Sequence, residues 1–268
     1  MKKIQFLFLL FVLGIATGYS QENDQPNQIG DNFSLEGALA IFKEAQSLEE
    51  FEKAINDEKS NVNNLDLNND GEIDYITVLD ITDKNTHVIV LSTFVDKNEK
   101  QDIATIGIEK TGNEEAQLQI EGDSDLYGEN TIVEPFDVNE KVDKNHGPNG
   151  FELTATRVVV NVWFWPSVRF LYAPTYVAWV SPFHWGYYPR WWKPWKPFHH
   201  TVFFTRCASH RVYFHKTNLR RVTVARAVYA PKRKSTTLIV KNKRGTTVVR
   251  KNNRGNTKVV KVKRSGRR

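Results

Sequence analysis

The chain is 268 residues long, and past a leader the remainder suits one large domain or two small ones. A single cysteine, Cys207, excludes an internal disulfide, so stability must come from a core, a metal or a partner. The net charge of +6 hides a segregation: all 31 Asp and Glu residues lie at or before Glu152. From Gln21 to Glu152 they face nine Lys and no Arg, a balance of −22, whereas Leu153 to Arg268 holds 26 basic residues and no acid. The boundary coincides with a loop-forming run, Asn145-His146-Gly147-Pro148-Asn149-Gly150.

Residues 1–20 read as a secretory signal peptide. Lys2 and Lys3 give the positive start, residues 4–16 the apolar run, and Gly18 and Ser20 the small residues before a cut ahead of Gln21. A membrane anchor needs about 20 apolar residues, which this run lacks. No cysteine stands near the cut to carry a lipid.

Residues 21–152 read as an acidic α+β domain. Behind Ser34, the residues Leu35, Ala38, Leu39, Phe42 and Ala45 share one helical face. Ser47-Leu48-Glu49-Glu50 is a capping box, in which the Ser47 hydroxyl and the Glu50 carboxylate satisfy each other's backbone N–H groups. Leu48, Phe51 and Ile55 continue the apolar stripe, giving two short helices that end near Ser60.

The stretch LDLNNDGEIDYITV (65–78) places Asp66, Asn68 and Asp70 in alternation, then Gly71, the carbonyl of Glu72, Ile73 and Asp74. That order resembles the first three-quarters of an EF-hand-type calcium loop. Thr77 stands where the bidentate Glu should be, and 75–79 reads as a strand rather than the exiting helix. The resemblance implies a weak, structural calcium site on Asp66, Asn68, Asp70, Glu72 and Asp74. Asp80, Asp83, Glu121, Asp123 or Asp125 could complete its shell. The same residues also build an Asx-rich turn in which Gly71 takes a positive φ.

After this loop the apolar period changes to two. Residues 86–95 are rich in β-branched side chains, Ala104, Ile106 and Ile108 alternate, and Ala116, Leu118 and Ile120 alternate with Gln117 and Gln119. Residues 131–136 and 156–163 add candidate strands. The short spacings favour an antiparallel meander with the two helices packed on one face.

Residues 153–230 form an aromatic, basic segment. All seven tryptophans lie between 163 and 195, and six of the ten prolines between 166 and 197, which excludes a long helix or a central strand. Trp191-Trp192-Lys193-Pro194-Trp195-Lys196-Pro197 resembles, in composition, short cationic peptides that settle into membrane interfaces. The candidate contact residues are Trp185, Trp191, Trp192 and Trp195 with Arg190, Lys193 and Lys196. Three readings compete: an irregular core with Arg169 and Arg190 stacked on rings, contact with an anionic lipid surface, or an aromatic platform for glycans. His184, His199, His200, His210 and His215 match no zinc spacing and read as interfacial or solvated.

Residues 231–268 repeat every ten residues, aligning Lys241, Lys251 and Lys261, then Arg244, Arg254 and Arg264. Turn residues followed by β-branched ones suit short hairpins, yet large apolar residues are too few for a core. The tail is therefore expected to be disordered or marginally β, ordering on a polyanion. An anionic envelope polymer, a lipid surface or extracellular nucleic acid are the partners this charge suits. A solubilising role, or folding back onto the acidic half, is the alternative.

Four features together resemble a group of uncharacterised exported proteins of Bacteroidetes-type bacteria: the Tyr19-Ser20-Gln21 ending, the Asp/Asn loop leading into Asp74-Tyr75-Ile76, the Trp/Pro block and the Arg-Gly repeats. The resemblance implies export, to the periplasm, outer-membrane periphery or exterior, and no activity. No G-x-S-x-G elbow, H-E-x-x-H helix motif or phosphate-cradling glycine loop is present. The expectation is a non-enzymatic binding or structural protein of the cell envelope, with a carbohydrate-binding accessory protein as the alternative.

Overall fold

The computed structural model describes residues 28–142 and 153–234, and beyond them the strands Thr237–Asn242, Gly245–Lys251 and Thr257–Val262. The expected signal peptide, the boundary loop 145–150, and Arg244, Arg254 and Arg264 lie outside the described residues. The fold is α+β, with six α-helices among the described residues and a mainly consecutive antiparallel sheet.

Helix α1 (Leu35–Glu44) starts where the Ser34 hydroxyl accepts the Gly37 N–H at 2.9 Å. Helix α2 (Leu48–Ile55) starts at Ser47, whose hydroxyl accepts the Glu50 N–H at 3.1 Å. The Glu50 carboxylate reaches one residue further back than a capping box requires, accepting from the Gln46 N–H at 3.0 Å. Strands β1 (Ile76–Asp83), β2 (Thr86–Asp96), β3 (Glu99–Gly112) and β4 (Glu115–Gly122) follow as a meander. Helix α3 (Ser124–Tyr127) leads into β5 (Ile132–Val142), which pairs onward with β6 (Leu153–Val159).

Residues 156–163 do not stay extended to their end. The Asn161 side-chain oxygen, Oδ1, accepts the N–H groups of Ala116 and Trp163, both at 3.1 Å, turning the chain out of the sheet. Pro166 then opens helix α4 (Pro166–Leu171), at the position where its missing N–H costs nothing. The segment 153–230 is likewise not irregular throughout. It also contains α5 (His200–Arg206), β7 (Phe214–Thr217) and α6 (Thr223–Tyr229), and Phe214, Val222, Ala225 and Tyr229 pack on the acidic half. Strand β7 pairs with the start of β5. In the tail, β8 (Thr237–Asn242), β9 (Gly245–Lys251) and β10 (Thr257–Val262) form a separate three-stranded antiparallel sheet, with Ile239 opposite Val248 and Val248 opposite Val260.

The sheet is covered on both sides. Ile89, Leu91, Ile106, Ile108, Leu118 and Ile120 join Leu39, Phe42, Phe51 and Ile55 of α1 and α2 in one core. Val88 and Val90, on the opposite face by the two-residue period, pack with Val222, Ala225 and Tyr229 of the α6 region. This second layer explains why β2 is buried along eight consecutive residues. Gly107 of β3 permits the approach: a Cβ there would lie 2.8 Å from Ala225 Cβ and 3.0 Å from Val222 Cγ2. Gly107→Val should therefore push α6 off the sheet and cost about 1–3 kcal/mol, read as a lower urea midpoint. An unchanged midpoint would remove α6 from the core.

Candidate functional site

The aromatic block becomes an arm, residues 172–198, laid across the edge of β1. The Asp80 N–H donates to the Trp179 carbonyl at 2.8 Å, and the Ser181 N–H to the Val78 carbonyl at 2.9 Å, so residues 179–181 act as a short added strand. Glu52 of α2, 1% exposed, accepts from Ser181 Oγ (2.6 Å), Tyr75 OH (3.0 Å), Trp179 Nε1 (3.0 Å) and the Val78 N–H (3.2 Å). Burial raises its carboxyl above the ordinary range even against these four donors. Asp80 Oδ2 accepts from Tyr176 OH at 2.7 Å and lies 2.8 Å from His87 Nδ1. Further on, the Ile73 N–H donates to the Trp195 carbonyl, and Asn64 both donates to the Phe198 carbonyl and accepts its N–H.

Tyr75 is the hub for the rings. Phe183, Tyr188, Trp191 and Trp192 stand around it at centroid distances of 5.6, 5.7, 6.5 and 5.1 Å. Of the expected contact residues, Trp185 is half-buried in a turn closed by paired His184–Tyr187 hydrogen bonds, with Gly186 at φ 74°. Trp191 is 46% exposed with Lys53 Nζ 5.8 Å from its ring centre. Trp192 and Trp195 are half-buried, while Arg190, Lys193 and Lys196 are exposed. Lys110 over Trp163, Arg206 over Phe198 and Arg211 over Phe204 supply further cation–π contacts, at 4.5, 4.0 and 3.7 Å.

The Asp/Asn loop abuts the arm at Ile73. Asp66 Oδ2 accepts the Gly71 N–H (3.1 Å), Asn68 Oδ1 the Asp70 N–H (2.8 Å), and Asp70 Oδ1 the Glu72 N–H (2.8 Å), with Gly71 at φ 90°. These are the bonds of an Asx-rich turn. Asp74, 6% exposed, turns inward and accepts the Leu67 N–H at 2.6 Å. Burial, with the Asp66 and Asp70 charges adding to it, pushes its carboxyl up to about 8. Among the described residues no group of three His, Cys, Asp or Glu side chains is arranged around a common point. Four of the five carboxylates expected to complete a calcium shell are committed elsewhere: Asp80 to His87 and Tyr176, Glu121 to Arg220, and Asp123 and Asp125 to Arg233. Thr77 lies in β1, its hydroxyl on the Ser92 carbonyl, and takes no part in the loop.

Residues 214–234 bring cations to the acids of the sheet. Arg220 meets Glu121 through two bonds (2.6 and 3.2 Å), Arg221 meets Glu134 (3.1 Å), and Arg233 meets Asp123 (2.7 and 2.8 Å) and Asp125 (2.8 Å). The Asp123 carboxylate holds Arg233 even more firmly protonated than usual. Asp102 accepts from Tyr229 OH and the Lys234 N–H, both at 2.7 Å. His215 sits 3.7 Å from Glu134 rather than in solvent. Cys207 is buried and donates to the Asn61 carbonyl, and burial pushes its thiol up to about 11, the inert form of this residue.

Glu52, Asp80, His87 and Asn64 carry the arm, yet none stands out in the sequence as an arm contact. One signal was available: Glu52 occupies the apolar stripe of α2 beside Leu48, Phe51 and Ile55, where an acid needs buried donors. Asp74 supplies the test of the loop. Its raised value means the folded chain holds a proton that the unfolded chain has released above about pH 4. The stability from that proton is complete below the unfolded value and is lost as pH rises through 8. With a chelator present, the melting temperature should fall between about pH 5 and pH 9, and less so in Asp74→Asn, which keeps the acceptor for Leu67. Parallel profiles would show that Asp74 ionises freely. No family model, curated protein or solved structure matches the chain.

Proposed function

We propose that the protein is an exported, non-enzymatic binding protein of the cell envelope that attaches to anionic surface material. The observation carrying this reading is the sorting of its cations. Arg220, Arg221, Arg226 and Arg233 are paired with sheet carboxylates. Arg190, Lys193 and Lys196 point outward, and the tail adds basic residues in a half of the chain that has no acid of its own. The Lys241, Lys251 and Lys261 repeat falls on the three tail strands. A polyanion gains from such a surface by releasing its condensed counterions. The sequence-independent probe is duplex DNA. Its log K should fall steeply with log salt, and changing Lys241, Lys251, Lys261, Arg244, Arg254 and Arg264 to Gln should flatten that slope by up to about five. No binding to DNA or heparin at low salt would overturn the reading.

The loop of Asp66, Asn68, Asp70, Glu72 and Asp74 is assigned a supporting role as a weak calcium-stabilised element. The alternation of Asp66, Asn68 and Asp70 ahead of Gly71 supports this, being the order of oxygens that opens an EF-hand-type loop. Extracellular calcium modules work at about 10⁻⁴–10⁻³ M. Millimolar calcium should raise the melting temperature of the protein, and Asp70→Ala should abolish the rise. Equal curves with calcium and with chelator would reduce the loop to its Asx turns.

A further inference from the structure

The exposed side of the arm has a composition and a stiffness that the attachment reading leaves unassigned. Tyr187 is 57% exposed, Trp191 46% and Val180 65%. The turn His184–Tyr187 projects freely, since a Cβ on Gly186 would meet no heavy atom within 4 Å. Arg190, Lys193 and Lys196 follow at three-residue spacing, all exposed, with Pro194 fixing the backbone between them and Pro189 and Pro197 on either side. Beneath, the Tyr75 hub and Glu52 hold the arm to α2 and β1. The result is a preformed strip of aromatic edges and cations on a rigid base, which loses little freedom on docking.

One face of each of the two exposed rings is already occupied from within the chain. A glycan or a nucleic-acid base stacks on a free ring face. Trp191 has Lys53 over its ring, and Tyr187 lies stacked on His184 at 5.2 Å and 24°. What the arm exposes is Tyr187, Trp191, Val177 and Val180 beside the cations Arg190, Lys193 and Lys196. Amphipathic rings presented this way suit the boundary between lipid headgroups and acyl chains, where Lys and Arg heads meet anionic phosphates.

Resting on the attachment reading, we infer that the arm is a membrane-interface site: Tyr187 and Trp191 enter the headgroup region of an anionic bilayer while Arg190, Lys193 and Lys196 bind its phosphates. The test uses the full chain with vesicles of phosphatidylcholine, with and without phosphatidylglycerol, some carrying brominated acyl chains that quench tryptophan on contact. Binding should require the anionic lipid and should quench tryptophan emission. Changing Arg190, Lys193 and Lys196 to Gln should weaken it on the order of a hundredfold, from a roughly fivefold effect per cation. Tyr187→Ser should reduce the quenching, and unaltered circular dichroism would show that both variants fold. Binding without quenching, indifferent to the arm variants, would overturn the inference and leave attachment to the tail. Binding to heparin but not to anionic vesicles would also overturn it, naming a polymer as the partner. Failure on both would remove the attachment reading as well.

Discussion

Glu52 is a carboxylate placed on the apolar stripe of a helix, where hydroxyl, indole and backbone N–H donors hold it. Two of its four donors, Trp179 Nε1 and Ser181 Oγ, arrive from more than a hundred residues later in the chain. The same contact closes the open edge of β1, whose backbone groups at 76, 78 and 80 are met by Asn56, Glu52 and residues 179–181. Removing the arm would strand a buried carboxylate and unpair a sheet edge together, each costing about 1–3 kcal/mol per orphaned group. The aromatic segment is therefore part of the fold of the acidic half, and its exposed face is what remains after that duty is met.

The opposite face of the sheet is governed by a different pairing. Around the apolar patch of Val88, Val90, Val222, Ala225 and Tyr229 lie Asp102, Glu109, Glu121, Asp123 and Glu134, several of them almost fully buried. An Arg or a backbone N–H from residues 220–234 meets each one. Loss of one partner from such a pair is worse than loss of both, because the remaining charge stays buried. Segregating acids and bases along the sequence is thus compatible with a folded chain. The −22 of the first half is partly spent inside the molecule, on arginines that a count by halves treats as free.

Local pattern accounts for what the sequence shows of this fold. Helices α1 and α2 are visible in the spacing of Leu35, Leu39 and Phe42 and in the Ser34 and Ser47 caps, and the strands in their two-residue alternation. The run of β-branched residues at 86–95 was itself a hint of a strand covered on both faces, as β2 is. The second layer and the arm's seat are not local. Gly107 admits α6 through a contact with Ala225, and Asn64 docks the arm through a backbone group at 198. A glycine in a strand and an asparagine in a loop have ordinary local explanations, so neither announces a partner that far away. The Asp/Asn loop shows the converse. Its spacing suggests a metal, and the same spacing lets one oxygen each of Asp66, Asn68 and Asp70 accept the loop's own N–H groups.

The two faces of the sheet also decide where positive charge survives. Carboxylates over the second face take guanidinium groups, consuming Arg220, Arg221, Arg226 and Arg233 in ion pairs. Carboxylates under the arm take hydroxyls, an indole and an imidazole instead: Glu52 from Tyr75, Ser181 and Trp179, and Asp80 from Tyr176 and His87. Had the arm been fastened by arginines, its cations would point inward and its rings outward. Because it is fastened by its own aromatic and hydroxyl groups, Trp192 and Tyr188 turn in toward Tyr75, and Arg190, Lys193 and Lys196 are left facing out. Exposed cations cost little where water solvates them, and they gain once an anionic surface replaces that water. The choice of hydroxyls, an indole and an imidazole for Glu52 and Asp80, in place of the arm's own Arg and Lys, is therefore what leaves those cations facing out.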